Sequence, residues 1–435
     1  MNLHALIDTL HDSKGLAHKR DIEAVVKTLS LGAHSDIKVG DDCAAIPNPG
    51  GGYTLFAIEG FLPSFVERDP WFAGWCGIMV NLSDIYAMGG RPTAVVDALW
   101  SRGDEAMQAL LKGMADASRC YGVPIVGGHS NSRADSGHLA VSVIGHANAL
   151  LTSFDAEAGD LLLAAVDLRG AYREPFPHWN CTSKAPPERL RGDLELLPAI
   201  AEAGLCKAAK DISQAGWIGS TMMLLECSAV GACIDIDAIP KPAASDAQRW
   251  LLSAFPSFGF VLAVKPHQAE DVIARFHSRD LACAVIGECN DSRKLELRSA
   301  DARAVAWDFS QQALIGCGPR VQDTHEKTHA GNALPRALAR PVDHALLLAL
   351  EFDPRQPETP ASVSGRRVHR NQQGRARIRE RARRAEIRLW LRPRACADSR
   401  DRSARRELSR RRRNRRRRIL RIASSSSLTQ RENAS

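Results

Sequence analysis

Aspartates beside glycine and other small residues are the part of this sequence best suited to chemistry. They lie in three separated motifs, GDDCAA at Gly40–Ala45, NLSDIYAMGG at Asn81–Gly90 and DISQAG at Asp211–Gly216. Carboxylate oxygens are the ligands that Mg²⁺ prefers, and Mg²⁺ commonly binds together with nucleotide phosphates. One such motif alone would indicate an ordinary turn, because Asp and Gly are common turn residues. Three of them favour a divalent-cation site that holds a polyphosphate.

A glycine pair after an apolar run adds a second signal for phosphate binding. Gly127 and Gly128 follow the strand-like run Val123–Val126 and precede His129. Glycines in such a turn let a phosphate approach bare backbone N–H groups, although hairpin turns use the same residues. His129 is either a phosphate contact or a plain turn histidine.

The order and the residues of these motifs resemble those of a superfamily of ATP-binding proteins. This superfamily includes aminoimidazole ribonucleotide synthetase, selenophosphate synthetase, thiamine-monophosphate kinase and the hydrogenase-maturation dehydratase. NLSDIYAMGGRP at Asn81–Pro92 and VGGHS at Val126–Ser130 are most similar to selenophosphate synthetase, whereas IEGF at Ile58–Phe61 is more similar to thiamine-monophosphate kinase. The resemblance runs from about Asp36 to Cys317. It implies a two-domain α+β fold, with an N-terminal β-sheet domain that dimerises and a C-terminal α/β sandwich.

The resemblance also implies ATP and Mg²⁺ as cofactors, a homodimer, and transfer of a phosphoryl group from ATP to a small-molecule acceptor. The residues it assigns to the metal are Asp41, Asp42, Asp84 and Asp211, and those it assigns to the nucleotide are Asn81, Gly127, Gly128 and His129.

Two lysines and one aspartate complete the expected site. Lys14 is a candidate flap residue over the γ-phosphate and is paired with Asp42 as the catalytic set; the alternative for Lys14 is an exposed surface lysine. Lys38, near Asp36 and Asp41, is a candidate phosphate contact.

The chain departs from the family pattern at two places. DISQAG has Ser213 and then Ala215-Gly216 where the family has a threonine and paired glycines, and no cysteine precedes Cys43. These departures favour an alternative function, a non-catalytic nucleotide-binding partner in a biosynthetic pathway.

Charge divides the chain into two unlike parts. Residues 1–319 carry 27 basic and 38 acidic side chains, a net charge of −11, whereas residues 320–435 carry 31 basic and 12 acidic ones, a net charge of +19. An acidic body argues against nucleic-acid binding by that part of the chain.

The arginine-rich C-terminal tail includes the cluster RRRRNRRRR at Arg410–Arg418. High charge with little apolar periodicity predicts disorder. Two interpretations remain open: an RNA- or DNA-binding arm attracted by phosphate charge, or a non-native reading-frame extension of a GC-rich gene. Lys327 is the only lysine beside 30 arginines, which favours the second interpretation.

Several protein classes are disfavoured. The apolar runs Leu161–Val166 and Leu346–Leu350 are too short to span a membrane, and the N-terminus lacks the apolar core of a secretory signal. Eleven cysteines are scattered without metal-like spacing, which predicts a reduced, cytoplasmic protein. Sequence motifs of P-loop, dinucleotide-binding, serine-hydrolase and zinc-protease sites are missing from the 435 residues.

Hydrophobic periodicity predicts alternating strands and helices from Asp36 onward. Pro70 opens a long helix that ends near Met88, so Asn81 and Asp84 share one helix face. One helix is predicted over Arg189–Ala203, and another follows DISQAG. The predicted regions are an N-terminal helical segment over residues 1–35, an ATP/Mg-binding and dimerisation domain over 36–150, an α/β domain over 151–318, and the tail over 319–435.

Overall fold

The computed structural model describes residues 2–33, 35–243 and 245–318. Its helices are, in chain order, α1 Leu3–His11, α2 Lys14–Leu29, α3 Pro63–Arg68, α4 Pro70–Ala87, α5 Asp104–Tyr121, α6 Pro187–Leu194, α7 Leu196–Glu202, α8 Gly216–Ser228, α9 Ala247–Ser253 and α10 Ala269–His277. Its strands are β1 Ala44–Pro47, β2 Tyr53–Phe61, β3 Arg91–Arg102, β4 Ile125–Asn131, β5 Arg133–Ala147, β6 Leu161–Val166, β7 Ala171–Tyr172, β8 His178–Asn180, β9 Ala208–Asp211, β10 Gly231–Asp235, β11 Phe255–Pro256, β12 Gly259–Val264, β13 Ala282–Asn290, β14 Lys294–Ser299 and β15 Ala302–Asp308.

The first sheet contains five strands of the described residues, in the order β1-β2-β5-β3-β4. β3 and β4 run parallel, and the other neighbouring pairs run antiparallel. Side chains alternate across β2, so Leu55 and Ala57 are buried while Phe56 and Ile58 are exposed on the opposite face. The buried face of the sheet lies against α4.

Helix α4 is buried on every side, from Phe72 to Ala87. Asp69 caps its N-terminus by accepting a hydrogen bond from the Phe72 N–H, and Pro70 occupies the first turn, where a missing N–H costs nothing. A helix that is apolar all round belongs in a protein interior. Because α4 has no solvent face, any polar side chain on it must find a partner or a ligand inside the protein.

A close crossing with α5 fixes the position of α4. A Cβ atom added at Gly113 of α5 would lie 1.8 Å from the carbonyl oxygen of Trp71, so only glycine allows the two backbones to approach this closely. The crossing therefore depends on a side chain being absent.

The second sheet contains seven strands, in the order β15-β14-β10-β13-β6-β12-β9. β9 lies at its edge and pairs antiparallel with β12, and Asp211 stands opposite Phe260. The chain leaves β9 through the DISQAG loop and enters the buried helix α8. β7, β8 and β11 form a small separate sheet.

The predicted α+β class is confirmed, and most of the predicted elements are present with shifted ends. The single helix predicted over Arg189–Ala203 is wrong, because α6 and α7 meet at Glu195. Pro198 explains the break, since it has no N–H to donate to the Leu194 carbonyl. The short strand β9 was not predicted, and it carries Asp211.

The predicted disordered tail, with its possible nucleic-acid contacts, lies outside the described residues. Within the described ranges, no helix combines the length and apolar character needed to cross a membrane.

Candidate active site

Three aspartates from distant parts of the chain meet in one group. Asp42 comes from the loop before β1, Asp84 from the C-terminal half of α4, and Asp211 from the last position of β9. One carboxylate oxygen from each lies within 4.8 Å of the others. The sequence motifs that carry these residues are therefore adjacent in space, and their oxygens are spaced as one cation would need.

Asp84 supplies the observation that best fits a bound cation. Its side chain is 4% exposed, and its buried Oδ2 has no hydrogen-bond partner among the described residues. An unpartnered carboxylate oxygen in the interior is costly, because it has lost its water without any replacement. A hard divalent cation would provide the missing interaction, so the residues present fit Mg²⁺.

Burial, aided by neighbouring carboxylates, raises the pKa values of Asp211 and Asp84. Burial, followed by the charge of Asp42, raises the pKa of Asp211 to about 8. Burial raises the pKa of Asp84 well above its usual range, and the charge of Asp211 adds to the effect. Without a cation, the protonated form of Asp211 is favoured near neutral pH; a cation would reverse that preference.

Lys210 is a site residue that the sequence analysis did not identify. It is 2% exposed, and its Nζ donates a hydrogen bond to Asp42 Oδ1. Burial alone would lower the pKa of Lys210, but the facing carboxylates, Asp42 foremost, raise it above its usual value. The available signal was the position of Lys210, which follows Ala208 and Ala209 and directly precedes the Asp211 motif; lysine is almost never fully buried unless it is paired.

Asp41 lies beside the group but is engaged elsewhere. Its Oδ2 accepts the Ser153 N–H at 2.8 Å, and its Oδ1 accepts the Ser153 hydroxyl at 2.7 Å and the Asp42 N–H at 3.0 Å. Burial, followed by the charge of Asp42, raises the pKa of Asp41 to about 6. In this structure Asp41 holds the loop in place, and its predicted metal role remains a prediction.

A cavity of about 450 Å³ opens over the three aspartates. Helix α2 forms one wall, and its N-terminal turn is seated against the DISQAG loop: a Cβ atom at Gly15 would lie 2.4 Å from the Gln214 carbonyl oxygen. His18 and Lys19 of α2 line the cavity, together with Glu59 at the end of β2. Lys14 is exposed and lies outside this lining, so Lys19 is the lysine of the N-terminal segment that faces the site.

A buried glutamate holds another wall of the cavity. The carboxylate of Glu226 on α8 accepts backbone N–H bonds from Leu314 at 3.1 Å, Ile315 at 2.8 Å and Gly316 at 3.1 Å. These bonds place Ile315 and Cys317 in the cavity lining. The end of the described chain is thus fixed against the site by one side chain.

The remaining predicted nucleotide residues are not part of the cavity lining. Asn81 is fully buried and donates to the Gly77 carbonyl at 2.8 Å, while Lys38 lies over the Phe154 ring at 4.8 Å. Gly127, Gly128 and His129 are exposed on the edge strand β4, where the His129 ring is 5.8 Å from that of Trp100. These residues do not join the carboxylate group within one chain, and their nucleotide roles remain predictions.

Comparison with known families agrees with this arrangement. Residues 40–147 match the N-terminal domain of AIR synthase related proteins, and residues 177–299 match the C-terminal domain. Together the two matches cover more than half of the chain. The chain belongs to the AIR synthase related proteins. The superfamily inferred from the aspartate motifs is thereby confirmed.

Individual members of the AIR synthase related proteins differ in how much of their length this chain covers. An uncharacterized protein of Synechocystis sp. is 44% identical over 315 residues, which are 72% of this chain and 97% of that protein. The thiamine-monophosphate kinase of Synechococcus elongatus is 26% identical over 292 residues, 60% of this chain and 86% of the kinase. The fold resembles that of T. maritima PurL solved with ATP, with a TM-score of 0.54 at 20% identity over 63% of this chain and 46% of PurL. This chain spans about half the length of that PurL.

Proposed function

We propose that this protein is a Mg²⁺-dependent phosphotransferase that binds ATP and transfers a phosphoryl group to a small-molecule acceptor. The observation that carries the proposal is the group of Asp42, Asp84 and Asp211 at the base of an open cavity, with Asp84 Oδ2 unpartnered. A thiamine-monophosphate kinase among the relatives supports the reaction class.

Each charged residue of the cavity has a role in this proposal. Asp42, Asp84 and Asp211 would hold Mg²⁺, which when bound would neutralise and orient the polyphosphate. Lys19, on the α2 wall of the same cavity, would bind a phosphate oxygen. Positioning and charge stabilisation are the main tasks of a phosphoryl-transfer site, so these residues account for most of the expected catalysis.

Glu59 is proposed to take the proton of the acceptor. It lines the cavity beside Gly60 and does not belong to the three-aspartate group. Burial raises the pKa of Glu59 above its usual range, which brings it closer to the range in which a carboxylate is an effective general base.

We further propose that the protein is a homodimer formed through the exposed face of the first sheet. Phe56 and Ile58 are 51% and 65% exposed, and Phe56 stands opposite Ile144, which is also exposed. Val96 on β3 continues the same apolar face. A row of apolar side chains across three neighbouring strands is typical of a surface that another protein covers.

The experiment is ATP binding and Mg²⁺-dependent phosphate release by the full chain, with and without a panel of small hydroxyl, amine and carboxylate acceptors. Asp84→Asn removes a proposed metal ligand and is expected to abolish turnover. Asp235→Asn is the matched control and is expected to keep wild-type turnover, because Asp235 is a half-buried aspartate on β10 that lies outside the three-aspartate group and the cavity lining. Equal turnover in the wild type and Asp84→Asn would refute the proposal.

A second candidate is a nucleotide-binding partner without turnover. It is favoured by the altered DISQAG loop and by Lys210, which already occupies one side of Asp42. Tight ATP binding with no phosphate release under any acceptor would support it over the enzyme.

A further inference from the structure

A second cavity, of about 370 Å³, shares no lining residue with the cavity over the three aspartates. Its lining contains four cationic side chains, those of Arg169, Arg173, Lys184 and Arg189. None of the described residues that line it is acidic. Arg173 pairs with Asp69 at the start of α4, whereas Asp84 lies fifteen residues further along, a helical rise of roughly 22 Å. The basic cavity is therefore separate from the proposed active site.

Aspartates outside the lining hold two of the arginines without using all of their donors. Arg169 donates from Nε and Nη2 to Asp167 at 2.8 and 3.3 Å, and Arg173 donates from the same atoms to Asp69 at 2.7 and 3.2 Å. Nη1 of both arginines has no hydrogen-bond partner among the described residues. Asp280 Oδ2 is 3.9 Å from Arg169 Nη1, but the Asp280 side chain is 92% exposed, and an exposed pair at that distance contributes little.

The other two cations of the cavity also have unused donors. Arg189 donates through Nη2 alone, to Asp167 at 3.0 Å and to a backbone carbonyl at 2.6 Å. Its Nε is buried without a hydrogen-bond partner, 3.9 Å from Asp193, and the hydroxyl of the lining residue Tyr172 is buried without a partner as well. Lys184 is exposed and has no side-chain hydrogen bond or ion pair with any described residue. A ligand with several acceptor oxygens would satisfy these donors.

The number and placement of the donors favour a phosphate group as that ligand. Arginine and lysine bind phosphate through charge-assisted hydrogen bonds, and the arginine fork can use two donors at once. A carboxylate offers two oxygens in one plane, whereas the oxygens of a phosphate point in several directions and can accept from several side chains. The cavity volume of about 370 Å³ lies in the range of about 300–1,000 Å³ that small-molecule sites have.

We propose that this basic cavity is a second anion site, which binds the phosphate group of a small molecule. Lys184 and the free Nη1 donors of Arg169 and Arg173 bind the phosphate oxygens. The aspartates that pair with the arginines hold the guanidinium groups in place before the ligand arrives, which lowers the entropic cost of binding. The site needs no divalent cation and none of the three clustered aspartates, so the proposal is independent of the phosphotransferase activity.

The test is isothermal titration calorimetry of the full chain with inorganic phosphate, glycerol 3-phosphate and glycerol as separate ligands. EDTA is present, so that the three-aspartate group cannot bind phosphate through a metal ion. Lys184→Glu reverses a charge that has no ion pair among the described residues, and it is expected to weaken phosphate binding at least about tenfold. Lys207→Glu is the matched control, because Lys207 is an exposed lysine outside the lining of the basic cavity. It is expected to keep the wild-type affinity.

A second measurement locates the bound phosphate on the wild-type chain. Lysine acetylation followed by mass spectrometry is expected to show that the tighter of the two phosphate ligands slows acetylation of Lys184 and leaves that of Lys207 unchanged. The arginine-rich tail is present in the wild type and in both variants, so phosphate bound there contributes equally to all three titrations and does not affect the acetylation of Lys184.

Tighter binding of glycerol 3-phosphate than of inorganic phosphate would identify a phosphate ester as the ligand, and the reverse order would identify free phosphate. Either order supports the proposal if the affinity falls in Lys184→Glu. Equal phosphate affinities of the wild type and folded Lys184→Glu would overturn it, and so would binding of glycerol as tight as that of glycerol 3-phosphate. Circular dichroism establishes folding. If Lys184→Glu does not fold, acetylation of the wild type decides the matter, because unprotected Lys184 would overturn the proposal.

Discussion

Asp84 and Asp211 reach the same group of oxygens from two very different supports. Asp84 belongs to a helix that is buried from Phe72 to Ala87 and fixed by a glycine crossing. Asp211 stands at the end of a four-residue strand at the edge of a sheet, ahead of a loop. A long helix positions its residues by many contacts, whereas the short strand depends on a few hydrogen bonds. We therefore expect that substitutions on the protein surface displace Asp84 less than they displace Asp211.

The largest expected effect tests whether Asp84 on α4 and Asp211 on β9 act in the same site. Asp211→Asn and Asp84→Asn are each expected to reduce Mg²⁺-dependent ATP turnover at least about 100-fold, because each would remove a proposed ligand of the same ion. Turnover and Mg²⁺ dependence would be measured side by side for both variants. Full activity in Asp211→Asn with none in Asp84→Asn would mean that the β9 side is not part of the site.

The pH dependence of the free energy of unfolding tests the raised pKa values of Asp211 and of Asp41, which lies beside the three-aspartate group. Since the pKa of Asp41 is raised to about 6 and that of Asp211 to about 8, both are protonated in the folded protein at pH values where the unfolded chain has lost those protons. The free energy of unfolding without Mg²⁺ is therefore expected to fall between about pH 4 and pH 8, by a few kcal/mol.

Urea unfolding at several pH values, with and without Mg²⁺, measures this effect. Mg²⁺ is expected to stabilise the protein more at pH 8 than at pH 5, because the cation competes with protons for the carboxylates. Asp211→Asn should flatten the profile. A free energy of unfolding that rises toward pH 8 in the metal-free wild type would contradict the raised pKa values.

The close crossing of α4 and α5 can be tested by adding a single methyl group at Gly113. Gly113→Ala is expected to lower the free energy of unfolding by about 2 kcal/mol, because the new Cβ atom would overlap the Trp71 carbonyl. Gly50→Ala is the control, since a Cβ atom there meets no atom within 4 Å. An unchanged unfolding midpoint in Gly113→Ala would show that α4 and α5 are not held at this crossing.

The smallest effect distinguishes two lysines of α2. Lys19→Ala is expected to raise the KM for ATP about tenfold, since Lys19 lines the cavity, whereas Lys14→Ala should change it less than about twofold, since Lys14 is exposed. A larger effect of Lys14→Ala would restore the flap role inferred from the sequence. Steady-state kinetics with ATP as the varied substrate measure both values.

The features that could be predicted from the sequence are those with a strong local pattern. Pro70 at its start, the apolar run that follows and Gly89-Gly90 just after its end made α4 predictable, and with it the common face of Asn81 and Asp84. Even there the outcome differed for the two residues, because Asn81 is buried away from the cavity while Asp84 faces it. Helical spacing predicts a shared face but does not predict which neighbour each side chain meets.

Residue order and local periodicity were sufficient to predict the α+β class, to locate the three aspartate motifs and, through those motifs, to infer the family. Tertiary structure alone decided that Asp42, Asp84 and Asp211 meet, that Ser153 engages Asp41, and that Lys210 lies among the carboxylates. Apart from Asp42 and Asp84, which are 42 positions apart, and the neighbours on β9, these contacts join residues more than 100 positions apart in the chain. No local pattern encodes such pairings, since they depend on how two sheets and a buried helix pack together.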